Sequence, residues 1–331
     1  MACERAGKAP QGQRLVSDRW MITGWMGRSH QSFGYVSLIC LLLLLPSISA
    51  VWSAPAMTTR GCTYTIPPDV DVVDGRRNYA QVKPGDILCL PAGERGNLKL
   101  LNLQGVAGSP ITVRNAGGKV RISGEEFLSG GIGIVNSAYL RVTGTGTSSA
   151  CGAPFAPSRQ ECGIEIGPVH KGIKVDTNKG TPHHIEIDHV FIHDTSTVTR
   201  TRGIAIHPVE GQLISGFYVH HNYIRKTTAE GIYVGTEPND RPIEVLGKLE
   251  DVGVSYNLIE EIEYDGIKVK VAVDNVKIHH NIIRNVGLSG TDNHDSGILQ
   301  AFSVGHVYNN YVENSRQGIR MGRDLEAPGT H

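Results

Sequence analysis

A short pattern that returns along the second half of the chain fixes most of what it can become. Val219-His220-His221-Asn222-Tyr223-Ile224 matches Val254-Ser255-Tyr256-Asn257-Leu258-Ile259. Ile278-His279-His280-Asn281-Ile282-Ile283 and Val307-Tyr308-Asn309-Asn310-Tyr311-Val312 repeat it. Ile187-Asp188-His189-Val190-Phe191-Ile192 carries the same apolar frame without the Asn. A second element accompanies these copies: Gly203-Ile204, Gly231-Ile232, Gly266-Ile267, Gly297-Ile298 and Gly318-Ile319. The Asn positions lie 35, 24 and 29 residues apart, so each repeat holds a loop of variable length. Units of this size, built of strands and turns with almost no helical periodicity, predict a solenoid. Alternate apolar residues of each strand then point inward and stack on the next coil. An Asn amide recurring at a turn can bond backbone groups that would otherwise be buried and unpaired.

The upstream sequence continues the theme. Val82–Gly93, Ser109–Asn115, Val120–Gly124 and Tyr139–Gly144 are short alternating strands bounded by turn residues. Residues 145–161 are rich in Ser, Gly and Pro and predict a surface loop closed by Cys151 and Cys162. The chain holds 40 glycines and only 6% aromatic residues, as expected of a turn-rich β protein. Its formal net charge is +0, which argues against a nucleic-acid partner, since such proteins carry a basic face.

Val36–Leu45 is the one strongly apolar run, shorter than the roughly 20 residues a bilayer span needs. Arg28 precedes it, and Pro46, Ser47, Ser49 and Ala50 follow. This layout predicts a secretory signal within residues 1–54, cleaved near Ala50, Ala54 or Ala56, with Met26 as the functional start. An uncleaved signal anchor is the alternative. The expected product is a secreted or periplasmic, monomeric single domain over residues 55–331. Its four cysteines suggest disulfides, most simply Cys62–Cys89 and Cys151–Cys162. The segment 60–90 suits an N-terminal cap. The C-terminal segment 322–331 offers no closing helix or strand, which predicts a solenoid truncated at that end.

With Pro84-Gly85-Asp86 ahead of the first coil, the ladder Asn222, Asn257, Asn281 and Asn310, and the Gly-Ile strands, the chain resembles the right-handed parallel β-helix proteins of the pectate-lyase-like superfamily over residues 62–324. The fold class expected is therefore all-β. That fold hosts lyases, hydrolases, epimerases and adhesins, so it does not by itself name a reaction.

Register places distant residues side by side. Aligned on Gly-Ile, the residue before Gly gives the column Arg202, Glu230, Asp265, Ser296, Gln317. The second residue after Gly gives Ala205, Tyr233, Lys268, Leu299, Arg320. With coils about 4.8 Å apart, Glu230 and Asp265 become neighbouring carboxylates, able to split their pKa values or share a cation. Lys268 and Arg320 fall roughly 10 Å apart on that spacing. Lys268 and Lys270 share one strand face.

Carboxylates beside Lys and Arg suit an acidic polysaccharide cleaved by β-elimination. The uronate carboxylate must be neutralised, a base must take the C5 proton, and the leaving oxygen must gain one. Glu263-Tyr264-Asp265 followed by Lys270 is also similar to the polysaccharide lyases of the chondroitinase and alginate-lyase type. The resemblance implies that Glu263 and Asp265 bind Ca²⁺ and that Lys270 is the base. The family's Asn ligand falls near Glu230–Tyr233, where Glu230 is the stand-in. Its catalytic Arg falls near Leu299–Ala301, leaving Arg320 or Arg284 for that role. The expected site is Lys270, Lys268 and Arg320 in catalysis, Tyr233, His294 and Arg284 toward substrate, and Glu263, Asp265 and Glu230 around Ca²⁺. His294 with Asp295 is a further acid–base pair to consider, and His207 a minor candidate. The competing readings are a hydrolase or uronate epimerase using the carboxylates, and a non-catalytic glycan-binding solenoid. The paired histidines His220-His221 and His279-His280 recur with the repeat and are expected to pack along the ladder.

Overall fold

The computed structural model describes residues 61–124, 131–146, 162–195, 200–239 and 241–322, all within the compact unit Pro55–His331. The expected leader, the Met26 start and Cys151 lie outside the described residues. Among those residues the secondary structure is strand throughout, apart from one 3-10 turn at Ile243–Val245. Every strand pairing is parallel, and the coils wind into a parallel β-helix.

One complete coil is the run Lys248–Ser255, Leu258–Ile262, Ile267–Lys270. Each of its three strands pairs with its equivalent one coil on, Ala272–His279, Ile282–Val286 and Ser296–Ala301. The first two stacks merge through the long strand Ile111–Gly124 into a 15-stranded sheet, and the third is a separate 9-stranded sheet. The N-terminal coil begins at Tyr64–Thr65, which pairs with Leu88-Cys89 and is tied there by the Cys62–Cys89 disulfide. Cys162 is buried and disulfide-bonded, but its expected partner is the undescribed Cys151.

The core is a set of aliphatic columns. Ile173, Ile204, Ile232, Ile267 and Ile298 occupy one register position on successive coils and are each 0–1% exposed. A residue in such a column touches its equivalents above and below, so burial is assured by repetition, and each filled aliphatic position contributes about 1.5–3 kcal/mol.

The Asn ladder works as a continuous chain. Asn222 Nδ2 donates to Asn257 Oδ1 at 3.1 Å, Asn257 Nδ2 to Asn281 Oδ1 at 2.9 Å, and Asn281 Nδ2 to Asn310 Oδ1 at 2.9 Å. Each amide also reaches a strand carbonyl, as Asn257 Nδ2 does to Val219 O at 2.9 Å. The turn needs this help because the residue before each Asn is left-handed: His221, Tyr256, His280 and Asn309 have φ of 54°, 55°, 55° and 53°.

The glycine of each Gly-Ile pair has a steric cause. A Cβ on Gly266 would stand 2.7 Å from the carbonyl oxygen of Gly297 and 2.6 Å from Ile283 Cγ2. At Gly231 it would meet Gly266 O at 2.7 Å, and at Gly203 it would meet Gly231 O at 2.6 Å. The column keeps glycine because consecutive coils approach too closely there for any side chain.

A candidate active site on the smaller sheet

The position before each of these glycines is where the charges gather. Gly231 N donates to Asp265 O at 3.1 Å, which sets the Glu230 and Asp265 positions one above the other on adjacent coils. Both side chains are buried, at 1% and 0% exposure, and so is Lys268, at 1%. An aliphatic solenoid has no use for three buried charges, so their pairing matters. Lys268 Nζ lies 3.2 Å from Glu230 Oε1 and 2.6 Å from Glu237 Oε1. Arg202 Nε donates to the other Glu230 oxygen at 2.8 Å. Lys270 Nζ meets Glu237 Oε2 at 2.5 Å. Lys268 and Lys270 therefore share a face, and one carboxylate spans both.

Tyr233 is the floor under these charges. It is 2% exposed, with Arg202 and Lys268 over its ring at 5.0 and 4.8 Å and the His207 ring edge-on at 4.5 Å. Burial pushes its hydroxyl pKa up, and Glu237 and Glu230 add to the rise. Burial also holds His207 down to about 4, Arg202 assisting. Tyr233 is thus sealed beneath the cations and supports the site from below.

The carboxyl pair is split. Burial raises Glu230, but Arg202 and Lys268 outweigh it and leave the group below its ordinary value. Asp265 has no such clamp. Its Oδ1 accepts from Ser296 N at 2.9 Å, while its buried Oδ2 has no hydrogen-bond partner. Burial pushes it up to about 6. Facing that oxygen is His294, whose Nδ1 is 3.7 Å from Asp265 Oδ2 and 3.9 Å from Glu230 Oε1. The imidazole stacks on Tyr264 with ring centroids 4.3 Å apart, and Arg200 lies 4.9 Å from the Tyr264 centroid. Burial and then Lys268 lower the His294 pKa, which favours the neutral ring. It is 29% exposed, with Nδ1 on its buried side.

The strand register gives Lys268↔Leu299↔Arg320, so Arg320 stands two coils from Lys268. Arg320 Nη1 donates to Asn293 Oδ1 at 3.1 Å. Lys270, Arg320, Asn293, Leu299 and Phe302 line a pocket of about 270 Å³. Asn293, in this lining, is the chain neighbour of His294.

Three expected residues stand apart. Arg284 lies on the larger sheet, paired with Glu260 at 3.6 Å and Glu313 at 3.4 Å, and does not join this group. Glu263 is tied through its backbone to Thr227 and Ser289, and among the described residues no side-chain bond links it to Glu230 or Asp265. Asp295 turns to Gln317 at 3.0 Å and Arg316 at 3.4 Å, leaving His294 to Asp265.

The donor set fits Ca²⁺ poorly. Glu230, Asp265 and His294 do bring one ligand atom each within 4.8 Å of the others. One of the three is an imidazole nitrogen, whereas Ca²⁺ takes six to eight oxygens. Both Glu230 oxygens are already engaged by Arg202 and Lys268, and two cations so close oppose a third.

Glu237, Arg202 and Tyr264 are members of the group that sequence reasoning did not single out. Arg202 stood in the right column and was legible by register. Glu237 lies past Gly235, outside any repeat.

No protein-family model matches the chain, and no curated protein matches it in sequence. Solved structures similar to it include an alginate lyase from Paenibacillus sp. str. FPU-7, at 20% identity and a TM-score of 0.49 over 76% of this chain and 77% of that one. A GH136 lacto-N-biosidase from Eubacterium ramulus has 17% identity and a TM-score of 0.48 over 76% and 56%. Pectate lyase Pel9A has 13% identity and a TM-score of 0.39 over 75% and 70%. The class of this protein, a parallel β-helix, is fixed by its own strand register. Nothing about the site rests on these neighbours. Among the described residues no helix is long and apolar enough to cross a membrane.

Proposed function

We propose that this protein is a secreted, carbohydrate-active β-helix enzyme that cleaves an acidic, uronate-containing polysaccharide by β-elimination. The observation that carries the reading is the pocket lined by Lys270, Arg320 and Asn293, whose chain neighbour His294 is backed by the buried carboxyls of Asp265 and Glu230. In this reading Arg320 neutralises the C6 carboxylate, which acidifies the C5 proton. His294 accepts that proton on Nε2, and the C5–H electrons form the C4=C5 bond as the C4–O bond breaks. The Lys270 ammonium, held by Glu237, protonates the leaving oxygen. Asp265 and Glu230 stand behind His294 to stabilise the imidazolium. Lys268 and Tyr233 hold Glu230 and Glu237 in place.

The glycosidase alternative needs two carboxyl groups that flank a bound sugar. Glu230 and Asp265 are buried, which disfavours it. The test is ultraviolet absorbance of the unsaturated product on alginate, pectate and chondroitin, each with and without EDTA. Product formation unaffected by EDTA is expected on one of them, slowed about 10²–10⁴-fold in His294→Gln. Folded protein that yields no unsaturated product on any uronate polymer overturns the reading.

A further inference from the structure

On the opposite side of the coil, where the first stack of strands turns into the second, two adjacent imidazoles meet. His220 Nδ1 and His221 Nδ1 face each other at 2.9 Å, with their ring planes at 89°. The spacing is informative. Two metal–nitrogen bonds of about 2.0–2.1 Å drawn from atoms 2.9 Å apart enclose an angle of about 90°. Tetrahedral zinc would want the nitrogens about 3.3 Å apart with bonds of that length. The two nitrogens are now joined by an N–H···N hydrogen bond; a metal replacing that proton at the same spacing would see them at two adjacent corners of a square, the geometry of copper(II) and nickel(II).

The tautomer of one ring is already set. His220 Nε2 lies 3.1 Å from Glu186 Oε1, and a carboxylate can only accept. The ring proton therefore sits on Nε2, and Nδ1 presents its lone pair. A carboxylate behind a ligating imidazole is the usual outer support of a metal-binding histidine. Glu186 is itself held by Arg141 Nε at 3.1 Å, and Arg141 Nη2 binds Asp188 at 2.6 Å. Glu186 and Asp188 are thus held by Arg141, and the ligands left are the two rings, His221 Nδ1 once it gives up the proton it donates to His220. His221 is clamped face to face between His189, centroids 5.2 Å apart, and Tyr256, 4.9 Å apart. Its backbone is fixed in the left-handed turn beneath the Asn ladder, with φ of 54°.

Two other histidine pairs share the Nδ1 spacing, His183/His184 at 3.0 Å and His279/His280 at 2.9 Å, without this support. At His280 the Nε2 faces the Asn309 amide nitrogen at 3.4 Å, a donor, which puts the ring proton on Nδ1. Among the described residues neither pair has a carboxylate hydrogen-bonded to a ring.

We propose that His220 and His221 chelate a divalent transition metal of square-planar preference, copper(II) or nickel(II), through their two Nδ1 atoms, with Glu186 holding His220 in the ligating tautomer. On binding, the His221 proton moves from Nδ1 to Nε2 and small ring rotations turn both lone pairs onto the metal. Solvent fills the remaining positions, since His220 is 23% exposed. The site is independent of the lyase reading.

The test is calorimetric titration of the full chain with copper(II) alone at neutral pH, with paramagnetic resonance to count nitrogen ligands. One equivalent carrying two imidazole nitrogens is expected. His220→Ala and His221→Ala should each weaken it at least tenfold. Glu186→Gln, which keeps both ligands, should weaken it about tenfold, and His279→Ala should leave it unchanged. Melting curves establish that each variant is folded. Copper bound equally by a folded His220→Ala/His221→Ala double variant overturns the proposal, and zinc bound as tightly as copper overturns its geometry.

Discussion

Asp265→Asn is the substitution that isolates what the buried carboxyl does. The change is nearly isosteric, and the Asn Oδ1 can keep the bond from Ser296 N. What disappears is the ionisable oxygen, which has no partner in the fold. Burial pushes the Asp265 pKa from its ordinary value of 3.8 up to about 6. Because the folded-state value lies above the unfolded one, the ionised form is the penalised form. At roughly 1.36 kcal/mol per unit, about two units make ionised Asp265 destabilising by about 3 kcal/mol. The penalty is absent below pH about 4, where the group is protonated in both states. It grows as pH rises toward about 6 and is constant above that. Asp265→Asn should therefore match the parent protein at pH 4 and exceed it by about 3 kcal/mol at pH 7.5. Parallel denaturant titrations of both proteins from pH 4 to 8 measure this directly. A stability difference that does not vary with pH, or a variant less stable than the parent at pH 7.5, would refute the argument that the carboxyl is buried without compensation. The same variant should lose turnover on any uronate polymer the parent cleaves, so stability gained and activity lost would trace to one oxygen.

Three further outcomes follow from the geometry. Asn257→Ala strips partners from Val219 O, Asn222 N and Asn222 Nδ2; at about 1–3 kcal/mol per orphaned buried group the loss should reach about 3–4 kcal/mol in denaturant titration. Gly266→Ala forces a methyl to within 2.7 Å of a carbonyl oxygen on the next coil, and should lower the melting temperature by several degrees, where an Ala at exposed Gly318, the same position on the last coil with nothing within 4 Å, meets no such contact. If His294 is the base, kcat should fall on its acid limb below the ordinary imidazole pKa, because burial and Lys268 depress it; His294→Gln should lower kcat by about 10²–10⁴, with KM little changed.

The fold was legible because it is repetitive. Gly-Ile and Asn recur in phase, so an alignment of the chain with itself recovers the register observed in Ile232↔Ile267↔Ile298. The same register placed Glu230 over Asp265 and both lysines on one face, so the heart of the charged group could be read as well. What escaped lies in loops, where no period operates: Glu237 itself, and the partner of His294, a residue the sequence did single out. Glu237 follows Gly235, whose φ of 125° turns the chain back over the lysines. His294 belongs to the loop between Val286 and Ser296, which docks on the Tyr264 turn through Gly287 N to Tyr264 O, Leu288 N to Ile262 O and Ser289 N to Glu263 O. That docking brings His294 to Asp265 and frees Asp295 for Arg316, against the simpler expectation that sequence neighbours pair.

The substitutions on this one coil carry an argument of their own. At the register position of Lys268 the adjacent coils place Tyr233 and Leu299, and at that of Asp265 the next coil places Ser296. The solenoid thus tolerates apolar or neutral groups there, and apolar residues in such a place are often as stable as a buried ion pair or more so. Lys268 and Glu230 at least compensate each other. Asp265 is compensated less: Lys268 only partly offsets its burial, and among the described residues its second oxygen has no hydrogen-bond partner, His294 lying 3.7 Å away, too far for one. A side chain that weakens the fold and completes no structural bond with that oxygen is hard to explain by folding alone, whereas a carboxyl held behind an imidazole explains it once that ring takes on a proton.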